Sequence, residues 1–114
     1  MYGVNLNKIK EFHNPIDNTG DEMLHTRLEF DNKRKLKKFS LNLTTKIGEE
    51  QKEIVRYDCG HGYLHMHRFY RKPPTKEKIA KEVAMKTAKE LTKEIRENWK
   101  TWKNALIENY GGMT

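Results

Sequence analysis

The stretch EIVRYDCGHGYLHMHRFY, residues 53–70, decides the fold that the sequence predicts. Its first part, Glu53 to Asp58, is rich in β-branched and aromatic residues, which favour strands. Glycines on both sides of His61 interrupt this strand, and a second strand is predicted from Tyr63 to Tyr70. Two strands separated by a glycine-containing turn predict an antiparallel hairpin.

The chain before this hairpin predicts two more strands. Residues 22–31 alternate apolar and polar side chains, and Phe39, Leu41 and Leu43 repeat the pattern after a turn. We therefore expect an α+β fold with a small antiparallel meander of about four strands in residues 21–72. Residues 1–20 are expected to be irregular, with either a short helical turn or an edge strand in their apolar part.

The chain after the hairpin predicts one long C-terminal helix. Pro73 and Pro74 end the sheet, and a helix is expected over residues 75–110, packed on the sheet within a single domain of residues 1–114. Gly111 and Gly112 are typical of a helix end. Apolar residues at spacings of three and four form the expected core stripe: Ala80, Ala84, Ala88, Leu91, Ile95, Trp99, Trp102 and Leu106. Trp99 and Trp102 are also candidates for a homodimer contact.

Composition favours a cytoplasmic protein with a polyanionic partner. Lys and Arg outnumber Asp and Glu by 23 to 16, giving a formal charge of +7, which favours a polyanion such as RNA, DNA or an acidic partner protein. The single cysteine, Cys59, excludes an internal disulfide and fits a reducing compartment. No apolar run approaches the ~20 residues of a membrane helix, and no secretory signal is apparent, so no membrane association is expected.

Three of the five histidines fall within residues 61–67. On a strand, His65 and His67 would share one face, while Leu64 and Met66 would point into the core. His61 lies in the turn and Asp58 ends the previous strand. Such a group suits acid–base chemistry near neutral pH, a metal site with His61 or Asp58 as third ligand, or ordinary surface histidines; the sequence leaves all three open.

The acid–base alternative predicts RNA cleavage without a metal or other cofactor. A base must activate the 2′-hydroxyl and an acid must protonate the leaving oxygen. We expect His61 and His65 in these roles, with Asp58 orienting His61 and with His67 and Arg68 holding the phosphate. The other expected RNA contacts are Arg71, Lys72, and the basic run of Lys33, Arg34, Lys35, Lys37 and Lys38, which equally suits a solvated hairpin tip.

The pattern Tyr57-Asp58-x-x-His61-Gly62-x-x-His65-x-His67-Arg68 resembles that of TumE-type toxins of prokaryotic toxin–antitoxin pairs. It resembles more closely a group of uncharacterised small proteins with a Val-Arg-Tyr-Asp-x-x-His-Gly motif and a later Glu-Asn-Trp stretch, here at Val55–Asp58 and Glu97–Trp99. The likeness covers about 55 residues, roughly from Glu53 to Tyr110.

The resemblance to toxins implies an activity and a partner. It implies a toxin-like endoribonuclease whose site includes Tyr57 beside the histidines, Asp58 and Arg68, with an antitoxin as possible binding partner. The alternative is a non-catalytic module that binds RNA or a partner protein through the same surface, such as an antitoxin or a CRISPR or defence accessory protein.

Overall fold

The computed structural model describes residues 8–60 and 62–110 of the chain. Within these residues the chain forms an α+β fold of six strands and one C-terminal helix, which confirms the expected class and adds two strands to the expected four. The elements are β1 (Lys8–Pro15), β2 (Glu22–Phe30), β3 (Leu36–Ile47), β4 (Glu50–Asp58), β5 (His65–Arg68), β6 (Thr75–Lys78) and α1 (Met85–Tyr110).

All six strands form one antiparallel sheet in the order β1-β2-β3-β4-β5-β6, so the expected meander is confirmed. Residues that lie opposite each other in the register share a face of the sheet. Leu41 lies opposite Tyr57, which lies opposite Met66, and all three are buried. Helix α1 packs across β3 and β4 on this side, which we call the helix face; the other side is the open face.

The core lies between the helix face and α1. It contains Leu24, Leu41, Leu43, Ile54, Val55, Tyr57, Leu64 and Met66 from the sheet, and Ala88, Leu91, Ile95 and Leu106 from the helix. These four helix residues lie at the spacing that the sequence predicted for the apolar stripe. Among the described residues, no helix is long and apolar enough to cross a membrane.

The N-terminal segment differs from the prediction for residues 1–20. Residues 8–15 are not irregular, because they form β1, an edge strand paired with β2 from Lys8↔Phe30 to Pro15↔Met23. All eight residues of β1 are exposed, so the strand carries no buried face and gives little hydrophobic pattern. Of the two alternatives for the apolar part, the edge strand is correct for Ile9 and Phe12, and residues 1–7 lie outside the described part.

The predicted start of the helix is wrong by ten residues. Residues 75–78 form β6, which pairs with β5 from Arg68↔Thr75 to His65↔Lys78, so the sheet extends past the expected end at residue 72. Helix α1 starts only at Met85. Glu77, which the sequence placed in the first turn of the helix region, lies on β6 and pairs with Arg68 at 3.3 Å. The expected helix end at Gly111 and Gly112 lies outside the described residues.

The tryptophan end of α1 packs on its own chain. Trp99 and Trp102 are half-buried, and the Trp102 ring stacks on Tyr70 with centroids 6.2 Å apart. Nearby, Lys103 Nζ reaches the buried carboxylate of Glu22 at 2.8 Å and ties the helix to β2. These contacts account for part of the tryptophan surface, and a homodimer through it stays a prediction.

Candidate functional site

Asp58, His65 and His67 come together on the open face and are called here the Asp58 cluster. Asp58 ends β4 and lies directly opposite His65 of β5 in the register. His67 lies two residues further along β5 and therefore points to the same side. The predicted division of this strand, with both imidazoles on one face and the buried Leu64 and Met66 on the other, agrees with this register.

The carboxylate of Asp58 is the centre of the cluster. Its Oδ1 lies 2.6 Å from Nε2 of His65, and its Oδ2 lies 3.4 Å from Nε2 of His67. The three groups each offer one potential metal-ligand atom, and these atoms lie within 4.8 Å of one another. Two imidazole nitrogens and one carboxylate thus lie close together, as the metal-site interpretation of the sequence requires.

The three side chains differ in accessibility. The His65 side chain is only 3% exposed, whereas those of His67 and Asp58 are 19% and 20% exposed. The His65 ring lies between the rings of Tyr63 and His67, with centroid distances of 5.5 and 4.9 Å. His65 therefore lies on the expected face of the sheet, together with His67, but its side chain is buried there.

Asp58 is held as a carboxylate by its neighbours. Burial alone would raise its pKa, but the hydrogen bond from the Gly60 N–H (3.2 Å), the nearby imidazoles and Arg56 together lower the pKa below the usual range. The Arg56 Nε donates to Asp58 Oδ2 at 3.1 Å. Arg56 also donates through Nη1 to Glu53 at 2.7 Å, so its own charge is balanced.

The surroundings of His67 shift its pKa in the direction that favours the neutral imidazole. Burial lowers the pKa of its imidazole, Asp58 acts in the opposite direction, and the positive charges of Arg56 and Lys76 lower it further. The ring stacks on Phe69 with an interplanar angle of 4° and a centroid distance of 5.6 Å, which fixes its plane. His67 therefore presents a neutral, oriented imidazole at the accessible side of the cluster.

Aromatic rings and cations border the cluster. Tyr63, His65, His67 and Phe69 form a continuous row of rings along the open face. Lys76 and Lys78 of β6 lie opposite His67 and His65 in the register, and Lys78 Nζ lies 5.3 Å from the Tyr63 ring centroid. Rings of this kind stack on bases and the cations suit phosphates.

A cavity of about 230 Å³ is lined by Asp58 and by residues of the neighbouring strands β2 and β3. Its lining comprises Arg27, Glu29, Lys38, Phe39, Ser40, Asp58, Cys59 and Gly60. Lys38 belongs to the predicted basic run, so this member of the run lies next to the cluster. The cavity extends the site from the β4–β5 hairpin towards β2 and β3.

Two predicted site residues lie on the helix face instead. Tyr57 is buried beneath α1, where burial and then the adjacent Glu94 carboxylate raise the pKa of its hydroxyl, so it belongs to the core. Arg68 lies opposite Val55 and pairs with Glu77. Neither side chain reaches the Asp58 cluster, because both occupy the alternate positions of their strands.

The other predicted cations lie around the sheet. Arg71 and Lys72 follow β5 near the end of the helix, where the Tyr110 hydroxyl donates to the Arg71 carbonyl at 2.6 Å. Lys33, Arg34 and Lys35 of the basic run lie at the β2–β3 hairpin tip, as predicted, whereas Lys37 and Lys38 lie on strand β3. Asp31 organises this tip by accepting hydrogen bonds from the backbone N–H groups of Lys33 and Lys35 at 2.8 and 3.0 Å.

The predicted roles of His61 stay predictions, because His61 lies outside the described residues. The sequence reasoning missed Arg56 and Lys76. Arg56 precedes Asp58 by two residues, so strand alternation alone was enough to place it on the same face. Lys76 was assigned to the helix, and no local signal identified it as the strand partner of His67.

Comparison with known proteins gives a family without a known activity. No curated protein and no solved structure matches the chain significantly. A family profile described as a domain of unknown function, DUF7718, matches residues 7–110. This match spans the whole described sheet and helix, including the Asp58 cluster, and the chain therefore belongs to the DUF7718 family.

Proposed function

We propose that this protein is a toxin-like endoribonuclease whose reacting groups are those of the Asp58 cluster. The observation that carries the proposal is the convergence of one carboxylate and two imidazoles on a sheet face bordered by aromatic rings and lysines. A net charge of +7 adds a general attraction for RNA. The resemblance to TumE-type toxins supports the same reaction class.

The reaction that suits this site is cleavage by the neighbouring 2′-hydroxyl. The 2′-oxygen loses its proton and attacks the phosphorus, a 2′,3′-cyclic phosphate forms, and the 5′-oxygen leaves with a proton. In a metal-free reaction, the neutral and accessible His67 is the group placed to accept the first proton. Lys76, opposite His67, is the nearest candidate on β6 to stabilise the charge that develops on the phosphate.

The buried position of His65 changes its proposed role. At 3% exposure its side chain does not offer a surface to a polymer such as RNA. His65 instead acts on the site through Asp58, which it contacts at 2.6 Å, and is a positioning residue. In the metal-free mechanism the leaving oxygen then takes its proton from a group other than His65. His61, which the sequence assigned as acid or base, is the proposed proton donor.

The experiment is a cleavage assay on a mixture of structured and single-stranded RNA with wild type, His67→Ala and His13→Ala. His13 is the matched control, since it is an exposed imidazole on the same face but on β1, four strands away from β5. We expect His67→Ala to lower the rate by about 10²–10⁴-fold and His13→Ala to leave it unchanged. Identical purification of all three proteins controls for contaminating ribonucleases.

Two results would overturn the proposal. Equal cleavage by wild type and His67→Ala would assign the activity to another site or to a contaminant. Absence of cleavage by wild type, together with RNA retention that weakens steeply with salt, would show a binding module without turnover. Products with a 2′,3′-cyclic phosphate end would support the reaction written above.

A further inference from the structure

We infer that Asp58, His65 and His67 bind one divalent transition-metal ion, of which Zn²⁺ is the representative probe. This inference deepens the proposed function, because it concerns the same site, but it rests on the cluster geometry and not on ribonuclease activity. It departs from the metal-free reaction that the sequence predicts.

The distances suit a shared ion. Zinc binds histidine nitrogen and carboxylate oxygen at about 2.0–2.2 Å, so two ligand atoms at tetrahedral angles lie roughly 3.4 Å apart. Asp58 Oδ2 and His67 Nε2 lie at 3.4 Å, and Asp58 Oδ1 and His65 Nε2 lie at 2.6 Å. A rotation of the Asp58 carboxylate lengthens the shorter distance, and the three ligand atoms, which lie within 4.8 Å of one another, then need to approach roughly this tetrahedral spacing around the ion.

The orientation of His65 supports this arrangement. Its Nδ1 lies 3.3 Å from the carbonyl oxygen of Tyr63, an acceptor, so the nitrogen bears the proton when that hydrogen bond forms. In a neutral ring, Nε2 then carries a lone pair that faces the Asp58 carboxylate. Two acceptors at such a distance need a proton or a metal ion between them, and a backbone carbonyl on the other nitrogen is the usual support of a ligating histidine.

The Asp58 carboxylate, like His65, is held in place by hydrogen bonds with neighbouring groups. Gly60 N–H donates to Oδ1 of Asp58 and Arg56 Nε donates to Oδ2, so both oxygens are oriented by a hydrogen bond. Arg56 also repels a cation, but its contact with Glu53 at 2.7 Å offsets much of that charge. The partial exposure of Asp58 and His67 leaves the solvent side of the ion open for water or substrate, as in catalytic zinc sites.

The donor set selects the class of ion. Two imidazoles and one carboxylate suit Zn²⁺, Fe²⁺, Co²⁺ and their neighbours, whereas Mg²⁺ and Ca²⁺ prefer oxygen ligands throughout. At the proposed site such an ion would act as a Lewis acid on a phosphate oxygen, a role that a buried His65 cannot fill by itself.

Zn²⁺ binding to the full chain tests the inference. Protein stripped with chelator and dialysed is titrated with Zn²⁺ by calorimetry, for wild type, His67→Ala and the control His13→Ala/His25→Ala. The control removes the other imidazole pair of the open face, whose Nδ1 atoms lie 2.7 Å apart. We expect one ion per chain, unchanged affinity in the control, and at least about 100-fold weaker binding in His67→Ala, since even outer partners of metal sites contribute 10–100-fold.

A second measurement does not depend on any variant. Addition of Co²⁺ to wild type should broaden the imidazole NMR signals of His65 and His67 and spare those of His13 and His25. Absence of Zn²⁺ binding by wild type, equal affinity in His67→Ala, or loss of binding only in the control would each overturn the inference. Zn²⁺ binding without RNA cleavage refutes the ribonuclease alone, and cleavage that persists in EDTA without Zn²⁺ binding refutes the metal site alone.

Discussion

The ion pair between Lys103 and Glu22 should make a large contribution to stability for a single side chain. Glu22 is buried, and its Oε2 accepts hydrogen bonds from Lys103 Nζ at 2.8 Å and from Thr45 Oγ1 at 2.7 Å. Replacing Lys103 by Met keeps most of the aliphatic stem but leaves a buried carboxylate without its cation. The change therefore tests how α1 is held on β2.

The magnitude follows from the distance and the burial. At 2.8 Å and an effective dielectric constant of about 20, the attraction is roughly 6 kcal/mol before any cost of desolvation. Removing one partner of a buried pair costs about 3–5 kcal/mol. Lys103 is 27% exposed and Thr45 still donates to the carboxylate, so we expect Lys103→Met to lower the free energy of unfolding by about 2–3 kcal/mol.

Urea unfolding followed by circular dichroism measures this loss. The matched control is Lys93→Met on the exposed side of α1, which should stay within about 0.5 kcal/mol of wild type. Adding Glu22→Gln to Lys103→Met should recover part of the loss, since a neutral amide is less costly to bury than an unpaired carboxylate. A Lys103→Met loss no larger than that of Lys93→Met would refute the reasoning.

Three further predictions concern stability. Ile95→Ala removes a fully buried side chain between α1 and the sheet and should cost about 2–5 kcal/mol in urea unfolding, against less than about 1.5 for Ile95→Val; equal losses would contradict the packing. Burial, and then the charge of His13, lower the pKa of His25, so the folded state resists protonation that the unfolded state accepts near pH 6.5. This part of the stability should therefore be complete above that pH and decrease as the pH falls through the lower folded pKa, and unfolding curves of His25→Gln between pH 7 and 5 should show a smaller decrease, since the lowered pKa of His67 contributes to it as well. Arg34 has a φ of 65°, so Arg34→Gly should raise the free energy of unfolding by about 0.5–1 kcal/mol while Arg34→Ala does not; the same gain in both would exclude backbone strain as the cause.

The sequence predicts the half of the site that depends on strand alternation. A period of two is sufficient to place His65 and His67 on one face and Met66 on the other. The position of Asp58 opposite His65 depends on the pairing register, which is set by the connection between β4 and β5. Alternation also places Tyr63 on the face of His65, but the burial of His65 depends on how closely the rings of Tyr63 and His67 and the Asp58 carboxylate pack around it, which alternation does not give.

The errors in the fold have two physical causes. Residues 75–78 belong to a Lys- and Glu-rich segment with good helix propensity, but the free edge of β5 offers backbone hydrogen bonds that a strand satisfies. Tertiary pairing therefore overrides local preference, and the helix starts at Met85. In β1 both faces are exposed, so its sequence has no buried side to produce an apolar alternation.

The order of the strands has a consequence for how the chain folds. Each strand pairs with its successor, so every hairpin closes a short loop at a small cost in chain entropy. Among the described elements, only the helix packs against residues that are distant in the sequence. Lys103, for example, contacts Glu22, which lies 81 residues earlier. The sheet can therefore grow from any hairpin before the helix docks. Asp58, His65 and His67 belong to a single hairpin, so the geometry of the candidate site depends on local strand pairing and not on the docking of the helix.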